Sequence, residues 1–494
     1  MNRQPSLAGR ALLAIGLMIG FYLLAVGIAG GLLAIPYLEM VSVHRLHIKL
    51  ALFCVVGAGV ILWSILPRPD RFPPPGPALT EKRHPSLFRT IESVARATGQ
   101  EMPAEVYLVA DMNAWVAQRG GVMGIGSRRV MGLGLPLLQV LTLSQFRAVL
   151  AHEFGHYHGG DTRLGPWIYK TRAAIGRTLA GMSRHSEALR KPFEWYGSLF
   201  LRVTHAISRR QELTADALAS RVEGSRALVE GLRRVAGMSA AYNHYWASEV
   251  HPVLAAGFLP PIADGLRRFV GVESISGQIA QMVEAEIREG KADPYDTHPP
   301  LRERIEAVRD LPADPGPAAG ASAEEAHSAL SLLEDVGSLE RELLTFLADA
   351  STVESIKPLP WEKVGSAVIA PAWERAVGAN RAAFAGLTVA NLPDAASRLA
   401  DFEARLEQRP EGIDESGREQ RGAWFLGAGL GLALRGAGWT VKSLPGDPIR
   451  LFRNGDTIEP FEMVSDLAGG KLTAELWQER CAGLGIDTIR LEPA

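Results

Sequence analysis

Residues 11–35 run without a single charged side chain and are almost wholly apolar. No other stretch limits the fold so tightly. At 1.5 Å per residue, a helix of this length crosses a hydrocarbon core of about 30 Å with some tilt. A helix also satisfies its main-chain polar groups internally, which a bilayer demands. A second apolar run, Leu50 to Leu66, is ended by Pro67 and predicts a marginal second span. A secretion signal has a shorter apolar core and a small-residue cleavage site. The first run is longer than such a core, and no convincing Ala-x-Ala site closes it. The two runs are therefore read as a transmembrane hairpin.

Basic residues orient the hairpin. Arg3 and Arg10 precede the first span, and Arg68, Arg71, Lys82 and Arg83 follow the second, whereas the loop between carries only Arg45 and Lys49. This bias places both ends, and the domain that follows, in the cytoplasm of a two-span protein of the cell membrane. The two basic residues in the loop keep a periplasmic domain as the alternative. Pro67 to Pro77 holds six prolines and reads as a stiff spacer between bilayer and domain. With 52 basic against 54 acidic residues, charge offers no case for nucleic-acid binding. Two cysteines, Cys54 and Cys481, imply no disulfide framework and suit a reducing compartment.

The chemistry is written at His152-Glu153-Phe154-Gly155-His156. Residues four apart share one face of a helix, so both imidazoles can hold one zinc ion, with Glu153 beside them as the base for a water. That arrangement implies metal-assisted peptide hydrolysis. A solvated surface helix is the bland alternative, and the flanking sequence argues against it. Thr142 and Gln145 have the spacing of a capping box, Leu141 and Phe146 that of a hydrophobic staple. Phe146, Val149 and Leu150 make an apolar stripe, and Gly159-Gly160 is expected to end the helix. Gly155 inside a helix costs about 1 kcal/mol against Ala and would let another element come close. A catalytic zinc needs a third protein ligand. His158, Asp161, His205, Glu212 and Asp216 are the candidates. The metzincin pattern fails because Thr162 stands where its third ligand should be. Glu212 and Asp216 share one face of an expected helix, Ser208 to Val222. There Glu212 could bind the metal while Asp216 fixes a ligand imidazole.

Four segments, in order, resemble the HtpX and CAAX-prenyl-endopeptidase family of membrane-associated zinc metalloproteases, of the gluzincin type. They are the His152–His156 motif; Ser208 to Glu212 with Ala215-Asp216; Asp296-Thr297-His298-Pro299-Pro300-Leu301 with Arg302 to Ile305; and Asn113-Ala114-Trp115. The likeness spans about residues 80–310. It implies one Zn²⁺ per chain held by His152, His156 and Glu212, Glu153 as catalytic base, Asp216 in support and His298 sharing the oxyanion charge. It also implies Asn113 and Ala114 on a strand above the cleft, where main-chain hydrogen bonds would hold an extended peptide. Strands are expected over Glu105–Ala110, Asn113–Gln118 and Arg128–Leu133. The other histidines (44, 47, 84, 185, 244, 251 and 327) have no partner spacing and are read as structural or surface residues.

Pro166 to Met182 and Pro192 to Ile207 read as amphipathic helices near the membrane or gating the cleft. Residues 311–326, rich in Pro, Ala and Gly, form a linker. Beyond it, Leu339, Leu343, Leu344 and Phe346 are spaced for one helical face, and a helix is expected near Ala382 to Gln408. The glycine-laced run Trp424 to Trp439 is too short for a confident span. Asn454-Gly455 marks a hairpin turn.

The expected fold is mainly α with a small β-sheet. A transmembrane hairpin and spacer (1–78) lead to an α+β zincin-like protease domain (79–310), a linker (311–326) and a separate C-terminal α+β region of unknown role (327–494). The expected function is a membrane-anchored zinc endopeptidase acting on polypeptides, with misfolded membrane proteins favoured as substrates. The alternatives are a catalytically silent membrane scaffold, a zinc hydrolase acting on another bond, and a CAAX-type processing protease. Two spans are too few for the enclosed chamber of the last. The oligomeric state is not written in the sequence.

Overall fold

The structure is a computed structural model. It describes residues 7–66, 70–121, 126–157, 165–182, 187–290, 299–309, 311, 327–347, 356–407, 412 and 414–492. Pro67–Pro69 of the spacer, Gly159-Gly160, His158, Asp161, the 312–326 linker and His298 lie outside those residues. The chain is mostly helical with small sheets, and divides into two compact units, residues 1–239 with 280–347 and residues 240–279 with 348–494.

In the first unit, helix α1 (Leu7–Leu38) and helix α2 (Ile48–Ile65) are the two apolar runs, each long and apolar enough to cross a membrane. They make a hairpin through a turn in which Glu39 takes a 2.7 Å contact from His47. Helix α6 (Gly165–Met182) and helix α7 (Glu187–Glu223) are not loose surface helices. Ile175, Met182, Phe193 and Phe200 share one core with Phe21, Ala25, Ala29, Cys54 and Ile61 of the hairpin. Polar ties run between the same helices: the Tyr196 hydroxyl donates to the Leu17 carbonyl at 2.6 Å, and Ser64 and Thr178 lie 2.7 Å apart. Burying one face of α6 and α7 on α1 and α2 explains why their apolar residues repeat at helical period despite scattered arginines.

Beside this bundle, β1 (Ala78–Leu79), β2 (Glu105–Val109), β3 (Ala114–Arg119) and β4 (Arg128–Gly134) form one sheet in the order β1-β2-β4-β3. β2 runs parallel to β4, and β3 is antiparallel to it, with Ala114 opposite Leu133 and Arg119 opposite Arg128. Each expected strand is present within a residue or so of its bounds. The proline-rich segment does not stand free once Asp70 is reached. Asp70 takes two bonds from Arg119 at 2.9 and 3.0 Å and one from the Gly120 amide. Phe72 meets Tyr107 and Trp115 edge-on, and Pro77 leads into β1 along β2. The stiff chain is thus laid on the sheet from Asp70 onward.

Helix α3 (Pro85–Thr98) starts with proline and stops at Gly99, whose φ of 67° suits a residue without Cβ. It packs on α5 (Leu143–Gly155), which follows α4 (Leu135–Val140). Residues 327–347 belong to this unit too. Leu143 and Leu141 exchange main-chain bonds with His327 and Ala329, and buried His84 accepts from the Glu334 amide at 3.1 Å. In α13 (Val336–Leu347), Leu339, Leu343 and Leu344 are buried, whereas Phe346 points outward at 52% exposure, one position off the face.

The second unit has its own apolar core. The glycine-laced run proves to be a buried helix, Glu415–Gly436. A Cβ at Gly429 or Gly431 would collide with the ring of Phe384 or Trp373, so the glycines let aromatic rings lie on the helix backbone. The expected helix from Ala382 to Gln408 is broken into short turns at 381–384, 392–396 and 399–403, with Pro393 opening one of them. β7 (Thr440–Lys442), β8 (Arg450–Arg453) and β9 (Asp456–Ile458) form a meander. Asn454 and Gly455 turn its hairpin with φ of 53° and 95°, the positive pair a type I′ turn needs.

Candidate metal centre

Helix α5 begins as its sequence requires. The Thr142 hydroxyl accepts from the Gln145 amide at 3.3 Å, and the Gln145 side chain accepts from the Thr142 amide at 3.1 Å. Phe146, Leu150 and Phe154 are fully buried, so the helix that carries the histidines is held on its apolar side. It ends at Gly155, before the glycine pair, with His156 still at helical angles (φ −61°, ψ −16°).

Gly155 shows why no side chain is tolerated there. A Cβ on it would come within 2.8 Å of Cα of Ala215 on α7. The two helices therefore touch backbone to backbone, level with the second histidine. A second tie holds their other ends: Arg147 of α5 binds Glu223 of α7 at 2.9 Å. This crossing delivers Glu212 and Asp216, one turn apart on α7, to the histidines of α5.

The resulting geometry is compact. His152 Nε2 lies 3.4 Å from one oxygen of Glu212, and His156 Nε2 lies 3.6 Å from the other. The donor atoms of His152, Glu153 and His156 all fall within 4.8 Å of one another. Zinc–ligand bonds of about 2.0–2.1 Å in a tetrahedron place ligand atoms roughly 3.3 Å apart, so two imidazoles and this carboxylate fit a shared ion. Asp216 Oδ1 sits 2.8 Å from His152 Nδ1, which keeps a proton on that nitrogen and turns Nε2 toward Glu212. The His152 side chain is 8% exposed and that of His156 29%, so the site opens on the His156 side.

A residue to which the sequence reading gave no role completes the cluster. The helix Leu301–Arg309 buries Leu301, Ile305 and Val308, and Arg304 at the edge of that face grips both oxygens of Asp216 at 2.7 and 2.8 Å. The same guanidinium is 3.8 Å from Glu212 and 3.4 Å from His152 Nδ1. Burial alone would raise the Asp216 pKa and lower that of Arg304, but the pairing outweighs it and both stay charged, Asp216 below its usual range and Arg304 above. Burial likewise pushes His152 down, yet bonds to Asp216 and Glu212 prevail and raise it to about 9. Arg304 lies four residues past the Thr-His-Pro-Pro segment; its charge between Leu301 and Val308 on an otherwise apolar helix face was the available signal.

Among the other sequence candidates, Asn113 is exposed at the mouth of β3, its carbonyl accepting from the Gly134 amide at 2.8 Å. Ala114 is buried, 3% exposed. The side chain of His205 is not among those described. Tyr157, next to His156, reaches β3: its hydroxyl donates to the Val116 carbonyl at 2.9 Å. Burial pushes this phenol up to about 12, with the Glu153 charge adding to the shift against Arg129.

A helix-borne pair of histidines thus meets a glutamate from a second helix beside a short sheet, the arrangement expected from the sequence resemblance. Residues 81–311 match Peptidase family M48. Over that segment the chain is similar to curated proteins that carry the name Protease HtpX. A protein named Protease HtpX homolog from Tropheryma whipplei (strain Twist) is 27% identical over 223 residues, which cover 38% of this chain and 73% of the relative. Protease HtpX of Histophilus somni is 26% identical over 241 residues (46% and 71%), and that of Pseudomonas fluorescens 24% over 243 (45% and 70%). No solved structure matches the chain.

Proposed function

We infer that this chain is a membrane-anchored zinc endopeptidase. The observation that carries the reading is the approach of both imidazoles to the two oxygens of Glu212, at 3.4 and 3.6 Å, with Glu153 one residue along. His152, His156 and Glu212 would hold Zn²⁺. When bound, the ion supplies a Lewis acid that polarises the scissile carbonyl and acidifies a water. Glu153 would accept the proton of that water on its carboxylate and return it to the nitrogen of the departing amine. Asp216 orients His152, and Arg304 compensates the buried charge of Asp216. Asn113 and Ala114 would bind the extended peptide at the head of β3. A role for His298 in sharing the oxyanion charge rests on the family resemblance.

The relatives' name, protease, and the two apolar helices support action at a membrane. The charge bias supports two spans with the protease domain in the cytoplasm, and two spans, too few for an enclosed chamber, favour misfolded membrane proteins as substrates. Metal analysis and casein cleavage by the full chain in detergent test the reading. The wild type should carry one zinc per chain and cleave casein. Glu153→Gln should keep the zinc and lose turnover by on the order of 10²–10⁴-fold, the usual worth of a positioned base. Equal rates for the two would overturn the assignment, and a zinc-loaded wild type without activity would favour the scaffold.

A further inference from the structure

The outer edge of β3 is where a polypeptide would add a strand, and something already occupies it. Asn113 accepts from Gly134, which makes 113, 115, 117 and 119 the residues bonded to β4. By the alternation of an antiparallel ladder, the main-chain groups of Ala114, Val116 and Gln118 point away from the sheet. β3 is the last strand of its sheet among the described residues. The Tyr157 hydroxyl donates to the Val116 carbonyl at 2.9 Å. One phenol thus takes an outward acceptor that an added strand would need. The ring is clamped from its face by the Arg129 guanidinium, 4.6 Å from its centre. Ala114, also outward-facing, is 3% exposed, so the head of the edge is covered as well.

We propose that Tyr157 is a latch on the outer edge of β3, and that an extended polypeptide binds there by displacing its hydroxyl from Val116. The occupant being a polypeptide rests on the protease reading; the latch itself rests on the edge geometry. Because Tyr157 adjoins His156, release of the edge and rearrangement beside the metal centre would be one event. The latch selects for chains that can offer unpaired main-chain groups, which folded proteins do not.

The test uses the full chain in detergent with Glu153→Gln to prevent turnover, and a fluorescein-labelled ten-residue casein fragment as probe. Adding Tyr157→Phe keeps the ring and removes the competing hydroxyl. Fluorescence anisotropy should show binding tightened about 3- to 10-fold, the worth of one neutral hydrogen bond. The gain should vanish for the same peptide N-methylated at alternate residues. A second readout needs no change at Tyr157: saturating peptide should increase nitration of Tyr157 by tetranitromethane, measured by mass spectrometry. A merely structural tether predicts equal or weaker binding for Tyr157→Phe and unchanged nitration, and either result overturns the latch. A chain that binds no peptide overturns it too. If zinc-loaded wild type binds the peptide with both signatures yet leaves it intact, the protease reading fails and the latch stands.

Discussion

The two units bury different things. In the first, His152, Glu212 and Asp216 are buried together with Arg304 drawn over them. In the second, the largest fully buried side chains are Trp361, Trp373, Trp477, Tyr245, Phe384 and Phe402. Two of its buried polar groups are satisfied locally: Asn380 bonds the Ala376 carbonyl and the Glu407 amide, and Glu403 pairs with Arg421. Among the described residues, the His and carboxylate cluster spaced for a cation lies in the first unit. A concentration of buried, mutually paired ionisable groups costs desolvation that an apolar core avoids. Where it persists, packing alone does not account for it; among the described residues the second unit shows no such cluster.

That contrast can be broken most directly by cutting one anchor in each unit. Arg304→Ala leaves buried Asp216 with His152 as its remaining partner, and should destabilise the first unit by about 3–5 kcal/mol. Trp373→Ala should cost the second a similar ~3–5 kcal/mol through its cavity. Urea denaturation followed with and without zinc separates the two. Zinc should shift only the transition damaged by Arg304→Ala, since an ion stabilises the unit that binds it. A zinc shift of the other transition would end the comparison.

A subtler change tests whether the carboxylate behind His152 tunes the metal. Asp216→Asn should weaken zinc 10- to 100-fold, the typical loss when a ligand's supporting partner is removed, read by competition with a chromogenic chelator. Unchanged affinity would make Asp216 a packing residue. Gly155→Ala raises helix propensity yet drives a methyl to 2.8 Å from the Ala215 backbone. Thermal melting should show a net loss of about 1–2 kcal/mol, and a stabilised variant would mean the α5–α7 contact is looser than it looks.

The smallest effect is on pH. The His152 pKa is raised in the fold from an ordinary 6.5 to about 9. In the chelated protein its pairing therefore stabilises fully below about pH 6.5 and is lost as pH climbs through 9. Over the same window a proton competes less with zinc, so zinc affinity should rise with pH. Melting temperatures of chelated protein from pH 6 to 9.5 that stay flat would contradict this, and the second unit should show no such slope from this source.

Much of this was readable before any fold was in hand, and the readable part has a common character. The capping box at Thr142 and Gln145, the i, i+4 pairing of His152 with His156, the Asn454-Gly455 turn and the two apolar spans all depend on neighbours within a few residues. Composition and periodicity without context decided less. The run 424–439 is too short for a confident membrane span, and only the rings of Phe384 and Trp373 lying on its glycines show it to be a core helix. Phe346 had the spacing for its helix face but not the angle.

Backbone geometry alone put two imidazoles on one side of a helix, because 3.6 residues per turn admits no other arrangement. It could nominate Glu212 and Asp216 among several candidates by their shared helix face, and likeness then singled them out, since nothing local brings α7 to α5. Packing did that, through a glycine that lets two backbones touch. Packing alone also brought Arg304 to Asp216 across 88 residues and Tyr157 to Val116 across 41. Contacts closed over such distances in the chain are set by the whole core at once, and they leave no short-range trace to read.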